Sequence, residues 1–210
     1  MKKFICYFLP LLVASMILPI QLSAWDGSLC NFCQDPFIVT ARVGYFHPVS
    51  KRVRKIYSDG WADYQLEIVK ELYDNWQIWL NVSGFSKKGH SIGFHDDTRL
   101  SFMPVSLGVR YSFPLTCRLT TYAGLGACYS FLRIKDDACF VHRHTSKERF
   151  GGIAEFGFNY CLTQSFFANL FVNYLYQSFD FPHGQDDPYV ERNDLNMSAF
   201  KVGIGIGAYF

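Results

Sequence analysis

Beyond residue 24 the sequence lacks any apolar run close to the roughly 20 residues that a transmembrane helix needs. It also lacks an excess of charge of one sign, since 20 lysines and arginines stand against 18 aspartates and glutamates. A nearly neutral chain offers no electrostatic footprint for a nucleic-acid backbone. These two absences argue against a helical membrane protein and against a nucleic-acid-binding protein.

Aromatic residues, by contrast, are abundant, at 18% of the chain with 21 phenylalanines and 13 tyrosines. Such rings suit an outer surface that meets lipid, with rims at the membrane interfaces where tyrosine and tryptophan reach water with their polar ends. A soluble fold could bury them only in a very aromatic core. The composition therefore favours a protein with a membrane-exposed surface.

The N-terminal segment has the three parts of a secretory signal. Met1 and two lysines precede an apolar run over residues 4–20, and small residues lead up to Ala24. This order predicts a signal sequence over residues 1–24 that is cleaved after Ala24. The alternative is an uncleaved membrane anchor, but Pro10 and Pro19 interrupt the run, which is also short for a span.

After the signal, apolar residues alternate with polar or small ones. In the first segment Phe37, Val39 and Ala41 share one face, and Thr40 and Arg42 share the other. A period of two is typical of strands and not of helices. The pattern recurs over residues 37–45, 64–69, 77–83, 103–112, 119–130, 153–160, 167–174 and 200–210. The sequence therefore predicts an all-β fold.

The links between these segments alternate in length. Short links lie near residues 74–75, 114–116 and 163–165, and long polar links cover residues 48–62, 87–98, 133–149 and 181–196. Short periplasmic turns that alternate with long external loops are the arrangement of outer-membrane barrels. We therefore predict an eight-stranded antiparallel up-and-down transmembrane β-barrel over residues 37–210, preceded by a periplasmic tail over residues 25–36.

Charge decides which face of each strand meets lipid. A lysine or arginine that faces lipid at the membrane midplane costs about 2–4 kcal/mol. Five charged residues fall on the face that carries the small and polar residues, namely Arg42, Glu67, Arg110, Glu155 and Lys201. We predict that this face lines the lumen and that the charges form a salt-bridged network, because unpaired buried charges are costly. The alternative is a soluble barrel of lipocalin type, which inverts the pattern.

The signal sequence, the alternating strands and the final strand over residues 203–210 together carry a resemblance to a known superfamily. The chain resembles the small outer-membrane barrels that include the OmpA transmembrane domain, OmpX, OmpW and the opacity-type surface proteins. The resemblance implies location in the outer membrane, with lipid and lipopolysaccharide as surroundings. It also implies that Tyr209 and Phe210, at the end of the last strand, are the signal read by the barrel-assembly machinery.

Four cysteines map toward the predicted periplasmic end, namely Cys30, Cys33, Cys117 and Cys161. The Cys30 and Cys33 pair could be a redox or metal site, but we favour a disulfide because no thioredoxin-like fold surrounds it. Clustering also raises the hypothesis of disulfide cross-links to other envelope proteins. Cys117 and Cys161 end adjacent strands and point by parity to opposite faces, so a bond between them would need a bulge or frayed strand ends.

The first external link carries a basic cluster of Lys51, Arg52, Arg54 and Lys55. A basic rim with nearby aromatic residues could contact lipopolysaccharide phosphates or host surface molecules. A solvated loop next to an anionic leaflet explains the same residues.

The long polar links contain few candidates for a metal site or a catalytic site. Cys139, His142 and His144 share one link but lack a defined fourth ligand, so we expect no metal and no other cofactor. His90 and Ser91 could in principle attack an acyl ester of lipid A, yet they lie in a link and not on a strand face at the lipid boundary. We therefore expect no catalytic site.

An eight-stranded barrel is just wide enough to be filled by its own side chains. Four large side chains fall on the lumenal faces, namely Trp79, Tyr122, Phe167 and Phe171. The sequence therefore predicts a non-catalytic protein with a structural or surface-interaction role of the adhesion type. A narrow channel for small or hydrophobic solutes is the alternative, and an enzyme that modifies lipid A is less favoured.

Overall fold

A computed structural model describes residues 37–73, 75–90, 97–138, 141–179 and 195–210. The predicted signal sequence and periplasmic tail lie outside the described residues, as do Cys30 and Cys33.

The described chain forms ten strands and one short helix. The strands are β1 (Phe37–Pro48), β2 (Trp61–Tyr73), β3 (Trp76–His90), β4 (Asp97–Pro114), β5 (Leu119–Ala138), β6 (Val141–Cys161), β7 (Phe166–Tyr176), β8 (Ser178–Phe179), β9 (Leu195–Asn196) and β10 (Ala199–Tyr209). Helix α1 (Lys51–Tyr57) lies between β1 and β2. No helix in the described residues is long and apolar enough to cross a membrane.

Eight of the strands close into a barrel in the order β1-β10-β7-β6-β5-β4-β3-β2, and β8 pairs only with β9. Every neighbouring pair is antiparallel. We call the end with the short turns after β2, β4 and β6 the turn end, and the opposite end the loop end. The predicted eight-stranded antiparallel barrel is confirmed.

Alternate side chains of each strand point into the barrel and are buried, and the others point outward. On β10 Lys201 is 2% exposed, whereas its outward neighbours Ile204 and Ile206 are 67% and 65% exposed. An outer wall of exposed Ile, Val, Leu, Phe and Tyr around a charged interior is the pattern of a barrel in lipid. It is the inverse of a lipocalin-type barrel, so the soluble alternative is wrong.

The barrel wall is higher on one side than on the other. The adjacent strands β3, β4, β5 and β6 have 15, 18, 20 and 21 residues, whereas β1, β2, β7 and β10 have 12, 13, 11 and 11. The longer strands continue through residues 87–90, 97–98, 133–138 and 141–149, whose polar composition had indicated links. Past the lipid both faces of a strand meet water, so backbone pairing persists there without an apolar face.

Aromatic side chains cross the lumen over glycines on neighbouring strands. A Cβ added at Gly108 or Gly126 would lie 2.7 or 2.8 Å from the indole ring of Trp79. A Cβ at Gly157 would lie 2.4 Å from the hydroxyl of Tyr122. The glycines therefore make room for rings that fill the narrow interior.

Candidate functional site

Near the turn end, four charged side chains meet in the centre of the lumen. The two terminal nitrogens of Arg42 donate to the two carboxylate oxygens of Glu67. Arg110 Nη1 donates to Glu67 Oε1 at 2.9 Å, and Glu155 oxygens lie 3.7 and 3.6 Å from the guanidinium groups of Arg42 and Arg110. All four side chains are at most 1% exposed. The cluster is a neutral quartet of two arginines and two glutamates, which we call the charge quartet.

Neutral groups fix the charge quartet in place. The Tyr122 hydroxyl accepts a hydrogen bond from Arg42 Nη2 at 2.9 Å, and the Tyr122 ring lies 4.2 Å from the Arg110 guanidinium carbon. Gln77 Oε1 accepts from Arg110 Nε at 2.8 Å. Because charge-assisted hydrogen bonds run to several strands at once, these side chains hold opposite walls of the barrel together.

Lys201 does not join the quartet, although the sequence grouped it with those four residues. Its Nζ lies 2.9 Å from Asp63 Oδ2 and donates to Ser83 Oγ at 2.9 Å. Asp63 also accepts from Gln65 Nε2 at 2.8 Å. Sequence reasoning missed Asp63 because the predicted strand began at residue 64. Its parity with Gln65 and Glu67 was the signal that could have found it.

Toward the loop end, the lumen is lined by aromatic rings. The ring centroids of Phe46 and Trp61 are 5.2 Å apart, those of Phe46 and Phe85 are 4.8 Å apart, and those of Phe102 and Phe179 are 6.3 Å apart. We call these five residues the aromatic layer. The sequence did not identify these five residues, because they lie just outside the ends of the predicted strands. The four side chains predicted to fill the lumen, Trp79, Tyr122, Phe167 and Phe171, are all buried.

The predicted basic link contains helix α1, which rests on the loop end of the barrel. Val53 and Tyr57 are buried, and the Tyr57 hydroxyl is 2.9 Å from Thr98 Oγ1. The opposite face of the helix exposes Lys51, Arg52 and Lys55, and Arg54 is partly buried. Three of the four predicted basic residues therefore point away from the barrel on an anchored helix.

Both described cysteines at the turn end are in disulfides. Cys161 is buried and Cys117 is exposed, in agreement with their opposite parity. The sequence did not single out Cys128, which is a free, buried thiol 3.3 Å from Ser130 Oγ. A mixed disulfide through Cys117 or Cys161 would first require exchange of an existing bond.

The last two residues lie where β10 closes the barrel against β1. Tyr209 points inward, with its ring centroid 4.8 Å from that of Phe167. Phe210 points outward, is 68% exposed, and its amide donates to the Phe37 carbonyl at 2.8 Å. The predicted assembly signal thus ends in an aromatic ring on the outer wall.

Most of the residues that the sequence offered as metal or catalytic candidates lie outside the described residues or have side chains that are not described. Cys139 and Ser91 are not described, and His90, His142 and His144 are described only as backbone in their strands. Within the described residues, no three histidine, cysteine or acidic side chains are placed to hold a metal.

No protein-family model matches the chain, and no curated protein matches it. Several solved structures do match the chain. The outer membrane protein OprG from Pseudomonas aeruginosa is 18% identical over 85% of this chain and 97% of its own, with a TM-score of 0.59. Outer membrane protein W of E. coli is 14% identical over 84% and 98%, with a TM-score of 0.57. Neisserial surface protein A is 15% identical over 83% and 97%, with a TM-score of 0.53.

At these identities the likeness is one of fold. The fold is that of the small eight-stranded outer-membrane barrels, as the sequence resemblance predicted.

Proposed function

We propose that the protein is an integral outer-membrane barrel without catalytic activity, which has a structural role and presents its loop end for surface interactions. The observation that carries the proposal is the filled lumen. The charge quartet occupies the interior near the turn end, the aromatic layer occupies it near the loop end, and α1 rests above that layer. A barrel filled in this way is a rigid support for the segments it displays.

A narrow channel is the second candidate, and the aromatic layer is the observation that favours it. Five aromatic side chains at the loop end offer an apolar surface to a small hydrophobic solute. OmpW and OprG share the fold. Against through-passage stands the charge quartet, because a solute would have to part Arg42 from Glu67 and leave both charges without partners.

Conductance in planar lipid bilayers separates the two candidates. We expect the wild-type protein to give no unitary current steps, since the quartet fills the lumen. Stable unitary steps would favour the channel. A variant in which Arg42 and Glu67 are both replaced by alanine is the internal control, because it keeps the lumen neutral and enlarges it at that one level.

Export and location complete the proposal. We expect the mature protein from outer-membrane fractions to begin at residue 25, which N-terminal sequencing would test. We also expect purified lipopolysaccharide to keep all its acyl chains after incubation with the protein. A deacylated product would support the enzymatic alternative.

We propose a structural role for Cys117 and Cys161. Alkylation of the denatured protein without reductant is expected to label Cys128 and to leave the other two unlabelled. Envelope complexes that disappear with reductant would instead support cross-linking to other proteins.

A further inference from the structure

The outward wall of the longer strands carries a row of cations toward the loop end. Lys88 on β3 is directly paired with Arg99 on β4, and Arg99 is directly paired with Lys135 on β5. All three side chains are exposed. We call these three residues the basic row. Arg133 is exposed on the same face of β5, two residues nearer the turn end.

This arrangement is unfavourable unless an anion joins it. Directly opposed residues of antiparallel strands have Cβ atoms about 5 Å apart, and like charges in such pairs destabilise a sheet. Ion pairs in the described part of the chain do not include Lys88, Arg99 or Lys135. Three adjacent cations on one exposed face make a local positive charge that attracts an anion.

The basic row begins where the apolar wall ends. On each of the three strands the outward side chain changes from apolar to cationic within a few same-face positions, from Val82 to Lys88, from Met103 to Arg99 and from Phe131 to Lys135. The apolar band of an outer-membrane barrel is about 25 Å tall, and the headgroups begin at its edge. The row therefore lies at the depth of the outer-leaflet headgroups.

The other side of the barrel has no such row. The outward residues nearest the loop end on the shorter strands are His47, Ala62, Tyr176 and Phe200. Among the described residues of those four strands, the outward positions near the loop end contain no lysine or arginine. Among the outward strand positions that the structure describes near the loop end, lysine and arginine therefore occur on the higher wall, apart from the basic residues of α1.

We infer that the basic row binds the phosphate groups of an outer-leaflet lipid, namely the lipid A part of lipopolysaccharide. Arg99 can bind phosphate with two parallel hydrogen bonds, and the lysines on either side add point charges. Two acidic residues on the same strands, Asp97 and Asp137, lie two positions nearer the loop end than Arg99 and Lys135 and are therefore farther from the apolar wall. The inference rests on the proposed location in the outer membrane.

The test compares two matched double variants. Lys88→Gln with Lys135→Gln removes two charges from the basic row. Lys70→Gln with Arg118→Gln removes two exposed charges near the turn end, far from the basic row, and serves as the control. Each protein is folded in octyl glucoside micelles and titrated at low salt with bisphosphorylated lipid A and with dephosphorylated lipid A.

We expect the basic-row variant to bind bisphosphorylated lipid A about 10-fold more weakly than wild type, because each basic residue near an anionic surface adds to the attraction. The control is expected to change the affinity by less than about 2-fold, as for other exposed charges. Removal of the phosphates should weaken binding by wild type to the level of the basic-row variant. The difference between the two variants should also shrink as salt is raised.

Equal affinities of the two variants, or equal binding of both lipid A forms by wild type, would overturn the inference. If a heparin oligosaccharide binds through the basic row and lipid A does not, the ligand of the row is a soluble polyanion and the inference about the lipid is overturned. A heat-dependent gel shift reports folding of each variant, and Arg99→Gln replaces a double variant that fails to fold. If the gel shift is intact but the titration shows no binding, only the inference about lipid A fails. If the wild-type protein itself shows no shift, the account of a membrane barrel fails.

Discussion

Near the turn end the lumen is filled by two arginines and two glutamates, whereas near the loop end it is filled by five aromatic rings. Both groups of side chains occupy the same narrow barrel, but they depend on different physics. The charge quartet depends on every partner being present, since each group is buried. The aromatic layer depends on volume, and loss of one ring leaves a cavity and not a stranded charge.

The largest expected effect is in the charge quartet. Glu67→Gln leaves Arg42 and Arg110 without their shared carboxylate, and we expect it to lower the free energy of unfolding by about 3–5 kcal/mol. Glu71→Gln, on the same strand and partly exposed, should change it by less than about 0.5 kcal/mol. Denaturant titration in detergent micelles measures both. Similar values for the two variants would mean that the quartet does not hold the barrel together.

An intermediate effect is expected between the two fillings, where Trp79 crosses the glycines. A Cβ at Gly108 would lie 2.3 Å from the Leu125 carbonyl oxygen and 2.7 Å from Trp79. Gly108→Ala is therefore expected to cost about 1–3 kcal/mol of stability through overpacking. Gly84→Ala is the matched control, because its Cβ would meet its nearest neighbour at 3.6 Å. Equal stability of the two variants in the same titration would show that the lumen has spare room.

The smallest effect is expected where α1 rests on the barrel. Tyr57→Phe removes the hydroxyl that lies 2.9 Å from Thr98 Oγ1, and a hydrogen bond of this kind contributes about 0.5–1.5 kcal/mol. We expect faster tryptic cleavage within the helix and an unchanged denaturant midpoint for the barrel. Ser50→Ala, just before the helix at a side chain that makes no capping hydrogen bond, is the control. An unchanged cleavage rate in Tyr57→Phe would mean that this hydroxyl does not anchor the helix.

The sequence predicted the barrel because lipid enforces alternation. A charged residue such as Arg42 or Lys201 identifies the inner face of a strand, and its apolar neighbours identify the outer face. The aromatic layer escaped prediction because Phe46 and Phe102 point inward near the loop end, where an inner apolar residue has the same composition signal as an outer one. The extension of β5 and β6 escaped because water on both faces removes the alternation. Helix α1 was not predicted for a similar reason. Only two of its residues, Val53 and Tyr57, are buried, so it has little apolar periodicity.

The central claim is that the apolar wall faces lipid around a filled, charged lumen. The most direct test is to fold the mature chain into detergent, to compare boiled with unboiled samples by gel mobility, and to record circular dichroism alongside. We predict a β-rich spectrum, a band whose mobility changes on boiling, and precipitation when detergent is removed. A β-rich protein that stays in solution without detergent and shows one mobility would contradict the account.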